Sequence, residues 1–200
     1  MSAILIRTAI EMQGVERLIA AAGPRANGPI ARALNRTGTP TANRSKREIR
    51  KVLGLRNHPY AKAPLGDALR RRTSIRKATP GTLTFSMAGF GQGLPAIYYR
   101  PKEAPAGASI NWLGSRRMVA RSFYLGGRFP RRKRSRISHA VWQRTGKGKW
   151  ALTRTRGPGV PEAMQTPTVG SAWEGEAARR LPAQMKTALE ALFAGYHRSR

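Results

Sequence analysis

Ile4, Ile6, Ile10 and Met12 alternate with Leu5, Arg7, Ala9 and Glu11, and this two-residue period predicts a strand over residues 3–11. From Gly14 the spacing changes to Val15, Leu18, Ile19 and Ala22, a helical stripe closed by Gly23-Pro24. Pro29 suits the first turn of a second helix carrying Ile30, Ala33 and Leu34, which Gly38 and Pro40 should end or kink. A third helix is expected from about Ala42 to Leu53. Its polar face holds Arg44, Lys46, Arg47, Arg50 and Lys51 with Glu48 as the one acid, so it forgoes the mixed-sign pairs of a solvated face and suggests anion contact.

Residues 54–68 read as an irregular loop with His58, Pro59 and Pro64, followed by a basic cluster of Arg70, Arg71, Arg72, Arg76 and Lys77. Leu83, Phe85 and Met87 alternate with threonine and serine as a half-buried strand, and Ala96 to Arg100 reads as the next. The glycine-rich run Gly89–Gly93 between them lacks the lysine and hydroxyl residue of a phosphate loop, so a flexible hairpin tip is expected. A turn is expected over residues 101–107, then extended segments at Ser109–Trp112 and Arg116–Leu125.

Two short strands, His139–Arg144 and Lys149–Thr155, flank the turn Thr145-Gly146-Lys147-Gly148. Alternation sets Ala140 and Trp142 on one side, and Trp150 and Leu152 on one side of the partner. The pattern is a hairpin with an apolar face and cationic edges. At the end of the chain Ser171 and Glu174 form a capping pair, and Trp173, Ala177, Leu181, Met185, Leu189 and Leu192 recur every three or four residues. The register survives Pro182, which predicts one long helix over 170–197 bent near that proline, with its stripe docked on the sheet or a neighbouring subunit. Residues 196–200 are a basic end expected to fray.

Together these elements predict an α+β fold: an N-terminal strand and helices (1–53), a central antiparallel sheet of short strands with basic loops (54–165), and the C-terminal helix, forming one domain.

Charge changes the picture most. The chain has 38 Lys and Arg against 9 Asp and Glu, a formal net charge of +29. Self-repulsion at that charge calls for a polyanion or an acidic partner. Between Ala104 and Pro161 there is no carboxylate, while Arg128, Arg131, Arg132, Lys133, Arg134, Arg136, Arg144, Lys147 and Lys149 crowd the loop and hairpin as candidate contacts. Gly, Pro and Ser around Arg128–Arg136 suggest a mobile loop laid either on duplex DNA or on an acidic protein rim.

Phe123-Tyr124 before the basic loop, then Arg144-Thr145-Gly146-Lys147, then Gly157-Pro158-Gly159-Val160-Pro161-Glu162-Ala163-Met164 carry a resemblance. In these segments, and more loosely in Ala31–Thr37, the chain resembles the prophage minor tail protein Z family, the tail completion proteins of long-tailed phages. Ala163 is inserted before the methionine, and Thr153-Arg154-Thr155-Arg156 stands where an aliphatic segment is usual. The resemblance implies a structural virion protein at the head-proximal end of the tail, supporting head-tail joining and the passage or positioning of the DNA end. It also implies neighbours among the tail terminator, tail tube and connector, a homo-oligomeric ring, hexameric by analogy with the tube, and assembly in the host cytoplasm.

The residues themselves set limits on other classes. No cysteine is present, which excludes disulfides and thiolate metal sites. No secretory leader and no apolar run of membrane-spanning length is visible, so a soluble, non-secreted protein is expected. His58, His139 and His197 fall in no metal spacing, and the carboxylates are too scattered to pair as acid and base, so neither catalysis nor a cofactor is expected. The competing reading is a free basic nucleic-acid-binding protein of ribosomal or nucleoid type, although no helix-turn-helix, zinc-finger or RNA-binding aromatic signature appears. For Trp173, Leu181, Met185, Leu189 and Leu192 the sequence leaves core and subunit interface both open.

Overall fold

The computed structural model describes residues 4–6, 22–148 and 151–198. The Val15–Ile19 stripe, residues 7–11 of the expected first strand, and Lys149 with Trp150 lie outside them. Four α-helices are described: α1 (Asn27–Val52), α2 (Leu65–Arg70), α3 (Val160–Met164) and α4 (Pro167–Arg198). Among the described residues nine short strands form three antiparallel sheets rather than one central sheet, within the expected α+β class. The chain packs as two compact units that do not follow the three consecutive segments of the sequence reading. One, the basic unit, contains Ile49–Thr73 and Phe90–Ala163; the other, the helical unit, contains the described parts of Ile4–Glu48, Ser74–Gly89 and Met164–Arg200.

In the helical unit, Leu181, Met185 and Leu189 of α4 pack on Ala26, Ile30 and Ala33 at the start of α1, with Leu34 and Leu83 at the margin. The C-terminal stripe is therefore core, one of the two alternatives left open for it, and it packs on a helix of its own unit where a sheet was expected; Leu192 is half-buried. Helix α4 begins four residues before Ser171, at Pro167, because proline presets the dihedral of a first helical position. It runs through Pro182 to Arg198.

Helix α1 is likewise unbroken where two helices were expected. Gly38 is there for packing, not for a helix end: a Cβ on it would stand 2.3 Å from Cγ of Phe85. Around Pro40, which has no N–H to donate, the Thr39 and Thr41 hydroxyls donate to the carbonyls of Asn35 (3.1 Å) and Thr37 (2.8 Å). Phe85 also approaches Trp173, with ring centroids 6.3 Å apart. Strands β1 (Ile4–Ile6), β2 (Thr73–Arg76) and β3 (Ser86–Gly89) form the sheet β1-β3-β2, with Leu5 opposite Ala88. The strand expected from Leu83 starts only at Ser86. The Thr79 and Thr82 hydroxyls bond each other at 2.9 Å across a turn, and Leu83 takes a φ of 40°.

In the basic unit, β4 (Lys102–Ala104), β5 (Gly107–Trp112) and β6 (Ser115–Ala120) form one sheet, while β7 (Ser122–Phe123), β8 (Trp142–Arg144) and β9 (Leu152–Arg154) form another. Strand β4 replaces the turn expected over 101–107, and α2 begins inside the loop expected over 54–68. The chain passes between the two sheets at Arg121, whose φ of 57° makes the corner. Ser122 stitches them there: its buried hydroxyl oxygen accepts the Ala108 N–H at 2.9 Å and its proton goes to the Val119 carbonyl at 2.6 Å. Residues 96–98, expected as a strand, form a 3₁₀ turn because Pro95 opens it and its carbonyl takes the Tyr98 N–H at 3.1 Å.

The segment 157–163 lies in the core of this unit. A Cβ at Gly157 would fall 2.6 Å from the Tyr99 ring, and the Tyr99 hydroxyl donates to the Pro158 carbonyl. Burial, reinforced by Glu162, pushes that hydroxyl's pKa well up, so it stays a donor. Gly159 N–H donates to the Glu162 carboxylate at 2.9 Å, and Ala163 is fully buried.

Candidate polyanion-binding surface

Folding separates the charge unevenly. The basic unit holds twenty-three of the 38 Lys and Arg but three of the nine carboxylates, Asp67, Glu103 and Glu162. All three are engaged inside the unit: Asp67 with Arg70 at 3.4 Å, Glu162 with the Gly159 N–H, and Glu103 with the basic loop.

Glu103 corrects the view of that loop. One of its oxygens accepts the N–H groups of Tyr124 (2.7 Å) and Leu125 (2.8 Å), and the other pairs with the guanidinium of Arg132. The pair is largely buried, with side-chain exposures of 15% for Arg132 and 9% for Glu103. Arg132 is thus a structural member of the loop, not a free contact, and the loop has an acid after all. Gly126 and Lys133 exchange backbone bonds of 2.7 and 2.8 Å, and the Ser135 N–H donates to Ser138 Oγ at 2.9 Å. The segment is therefore a braced hairpin, not a loosely laid loop. It presents Arg128, Arg131, Lys133, Arg134 and Arg136 exposed.

Aromatic rings hold several of these cations in place. The Arg134 guanidinium lies 5.0 Å from the Tyr60 ring centroid and Arg144 lies 5.4 Å from that of Phe123. His58 packs edge-on to Tyr60 and Tyr124, and burial holds its pKa below the usual value. Lys147 stands exposed at the hairpin turn.

Three hollows adjoin along this unit. The first, about 320 Å³, is lined by Lys62, Arg71, Arg72, Arg154 and Arg156 over an apolar wall that includes Leu94 and Ile97. The second holds Tyr60, Arg134 and Arg136, and shares His139 with the first. The third holds Arg132 and Arg144, and shares Ser135 and Arg136 with the second. None has a carboxylate in its lining. Of the sequence-predicted contacts, Arg132, Arg134, Arg136 and Arg144 meet in the second and third hollows. Lys149 lies outside the described residues, while Trp173, Leu181, Met185 and Leu189 belong to the helical core.

The sequence reading missed the first hollow, whose cations come from two distant stretches. Its signal was there in the glycine-rich run: Arg72 lies so close to Gly91 that a Cβ would meet Nη1 at 2.1 Å, and Arg156 donates to the Gly93 carbonyl at 3.4 Å. That run is a seat for arginines instead of a hairpin tip. On α1, Arg44 is paired with Glu48 at 3.6 Å and burial lowers the pKa of Lys46, so that face is less purely a cationic surface than its composition suggests.

Among the described residues, no helix is long and apolar enough to cross a membrane, and no group of three His, Asp or Glu could hold a metal ion. Comparison with known proteins finds no matching family model, no matching curated protein and no matching solved structure.

Proposed function

We propose that this protein is a structural component of a phage tail, a minor tail or tail completion protein at the head-proximal end, working as an oligomeric ring on a polyanionic neighbour. The supporting observation is the series of three adjoining hollows lined by arginine and lysine without a carboxylate, on a unit whose few acids are already engaged. A surface of that kind gains stability when an external polyanion neutralises it, and duplex DNA or an acidic protein rim would both serve. The segment resembling the tail family, Gly157 to Met164, supports the reading in a second way: Gly157 sits where a side chain would meet the Tyr99 ring, so the sequence at that point is tied to this fold.

The interleaving of arginine with Tyr60 and Phe123 also suits the second reading, a free nucleic-acid-binding protein, because rings and guanidinium groups together accept stacked bases. Mass spectrometry of purified phage particles separates the two: the tail reading expects the protein in every preparation at fixed stoichiometry, and its clear absence would overturn that reading. The nature of the polyanion is tested with R128Q/R131Q/R134Q, which spares the buried Arg132. If the hairpin meets DNA, duplex affinity falls equally for unrelated sequences and the salt slope flattens by roughly one unit per lost contact. If it meets an acidic rim, DNA affinity holds while head-tail joining in vitro is lost.

A further inference from the structure

The first hollow has the attributes of a ligand site in its own right, and none of the basic hairpin's arginines lines it. Its volume of about 320 Å³ falls at the small end of the range for small-molecule pockets. Five cations surround it with no carboxylate in the lining, and three of them are held in position by the fold. Arg72 lies across Gly91, Arg156 reaches the Gly93 carbonyl, and Arg154 stacks 5.1 Å from the Trp142 ring centroid. The same indole fixes His139, which packs edge-on to it at 5.9 Å, and is itself fixed by a 2.7 Å bond from its Nε1–H to the Ile137 carbonyl.

Two wall residues carry hydrogen-bonding capacity that nothing among the described residues uses: His139 Nε2 and Thr155 Oγ1 are buried without a partner. Since the Arg136 carbonyl can only accept, His139 Nδ1 is the donor in their 3.0 Å contact, which leaves Nε2 to accept when the ring is neutral and to donate when it is charged. Leu94, Pro95 and Ile97 supply an apolar wall. A carboxylate would satisfy one or two of these cations. A phosphate monoester, with nearly two negative charges at neutral pH and three acceptor oxygens, matches the set far better, and the apolar wall provides for a flat organic body attached to it.

We infer that this hollow binds a nucleoside monophosphate, its phosphate among Arg72, Arg154 and Arg156 and its body on the Leu94–Ile97 wall. The same chemistry could be supplied by a free nucleotide or by the 5′-terminal nucleotide of a single strand, and the test distinguishes them. The inference goes beyond the tail reading and does not depend on it.

Calorimetric titration of the full-length protein with adenosine monophosphate, adenosine and inorganic phosphate, at one fixed salt concentration, is the first arm. Adenosine monophosphate should bind at least about tenfold more tightly than either fragment, and R156Q and K62Q should each weaken it by about tenfold, the size of one lost charge-assisted bond. The hairpin variant R128Q/R131Q should bind as the wild type does. In the second arm, a short single strand carrying a 5′-phosphate competes with adenosine monophosphate more strongly than its 5′-hydroxyl form if the natural source is a strand end, and equally weakly if it is a free nucleotide. The two charge variants lie on different segments, so misfolding of one leaves the other to decide. Equal binding of the nucleotide and its fragments, or unchanged affinity in the folded charge variants, would overturn the inference.

Discussion

The two units of this chain reach stability by different means, and the difference explains where function can reside. The helical unit buries a stripe of Leu181, Met185 and Leu189 on Ala26, Ile30 and Ala33, and on the surface of α4 Glu176 pairs with Arg179 and Arg180. Hydrogen bonding from Arg180 lowers the pKa of Glu176, so this contact persists in mild acid. The basic unit has short strands and small sheets. It is tied by close backbone approach at Gly93 and Gly157, and by buried polar contacts at Ser122, Tyr99 and Glu103. A core of aliphatic stripes needs no charge, whereas the basic unit engages its three acids internally and keeps a large excess of arginine and lysine, the excess on which the proposed function rests.

That contrast is broken most sharply at Gly93. A Cβ there would stand 1.7 Å from the Gly157 carbonyl oxygen, a backbone atom that no rotamer change can remove. G93A should therefore cost more than about 4 kcal/mol in the basic unit, in the range reserved for severe steric faults. Hydrogen exchange would show protection lost over residues 90–163 and retained along α4. Uniform loss would mean the units do not unfold separately, and unchanged exchange would mean the close approach is not as tight as described.

The reciprocal cut is Leu189→Ala. Leu189 is fully buried in the helical cluster, and removing its side chain should cost roughly 2–5 kcal/mol of stability in that unit. Nucleotide and duplex affinity should survive at temperatures where the basic unit remains folded. If binding fell in step with helical content, the division of labour drawn above would be wrong.

The sequence pattern carried the α+β class, the C-terminal stripe and the extended segments after residue 107, because each is a local periodicity. It missed what depends on residues distant in the chain. Gly38 and Pro40 look like a helix boundary until Phe85 is seen to occupy the space over the glycine. The basic loop looks free of acids until Glu103, the sole carboxylate between Asp67 and Glu162, is found twenty-nine residues upstream of its arginine. That isolation was a usable signal, since a lone acid in so basic a stretch has good reason to be paired. Likewise Arg72 and Arg156 share one hollow only because the fold brings the 49–73 segment against the 90–163 segment.

The smallest expected effect concerns proton uptake by the basic unit. His58 Nδ1 accepts the Tyr60 N–H at 3.3 Å, which requires the proton of the neutral ring to sit on Nε2. The ring is wedged against Tyr60 and Tyr124, with Arg134 over the Tyr60 ring, and burial lowers its pKa below 6.5. The unfolded chain therefore takes up a proton at a higher pH than the folded one. Stability from this site is fully present above about pH 6.5 and is lost as pH falls toward the lowered folded value. H58N keeps an acceptor near the Nδ1 position and removes the titration. The difference in melting temperature between pH 7 and pH 5 should thus be smaller in H58N than in the wild type. An NMR titration of the His58 ring below pH 6.5 in the folded protein would agree with that result. Equal pH dependence in the two proteins would show that the His58 ring is solvated enough to protonate without cost, and that the aromatic group around it is looser than the rest of the basic unit.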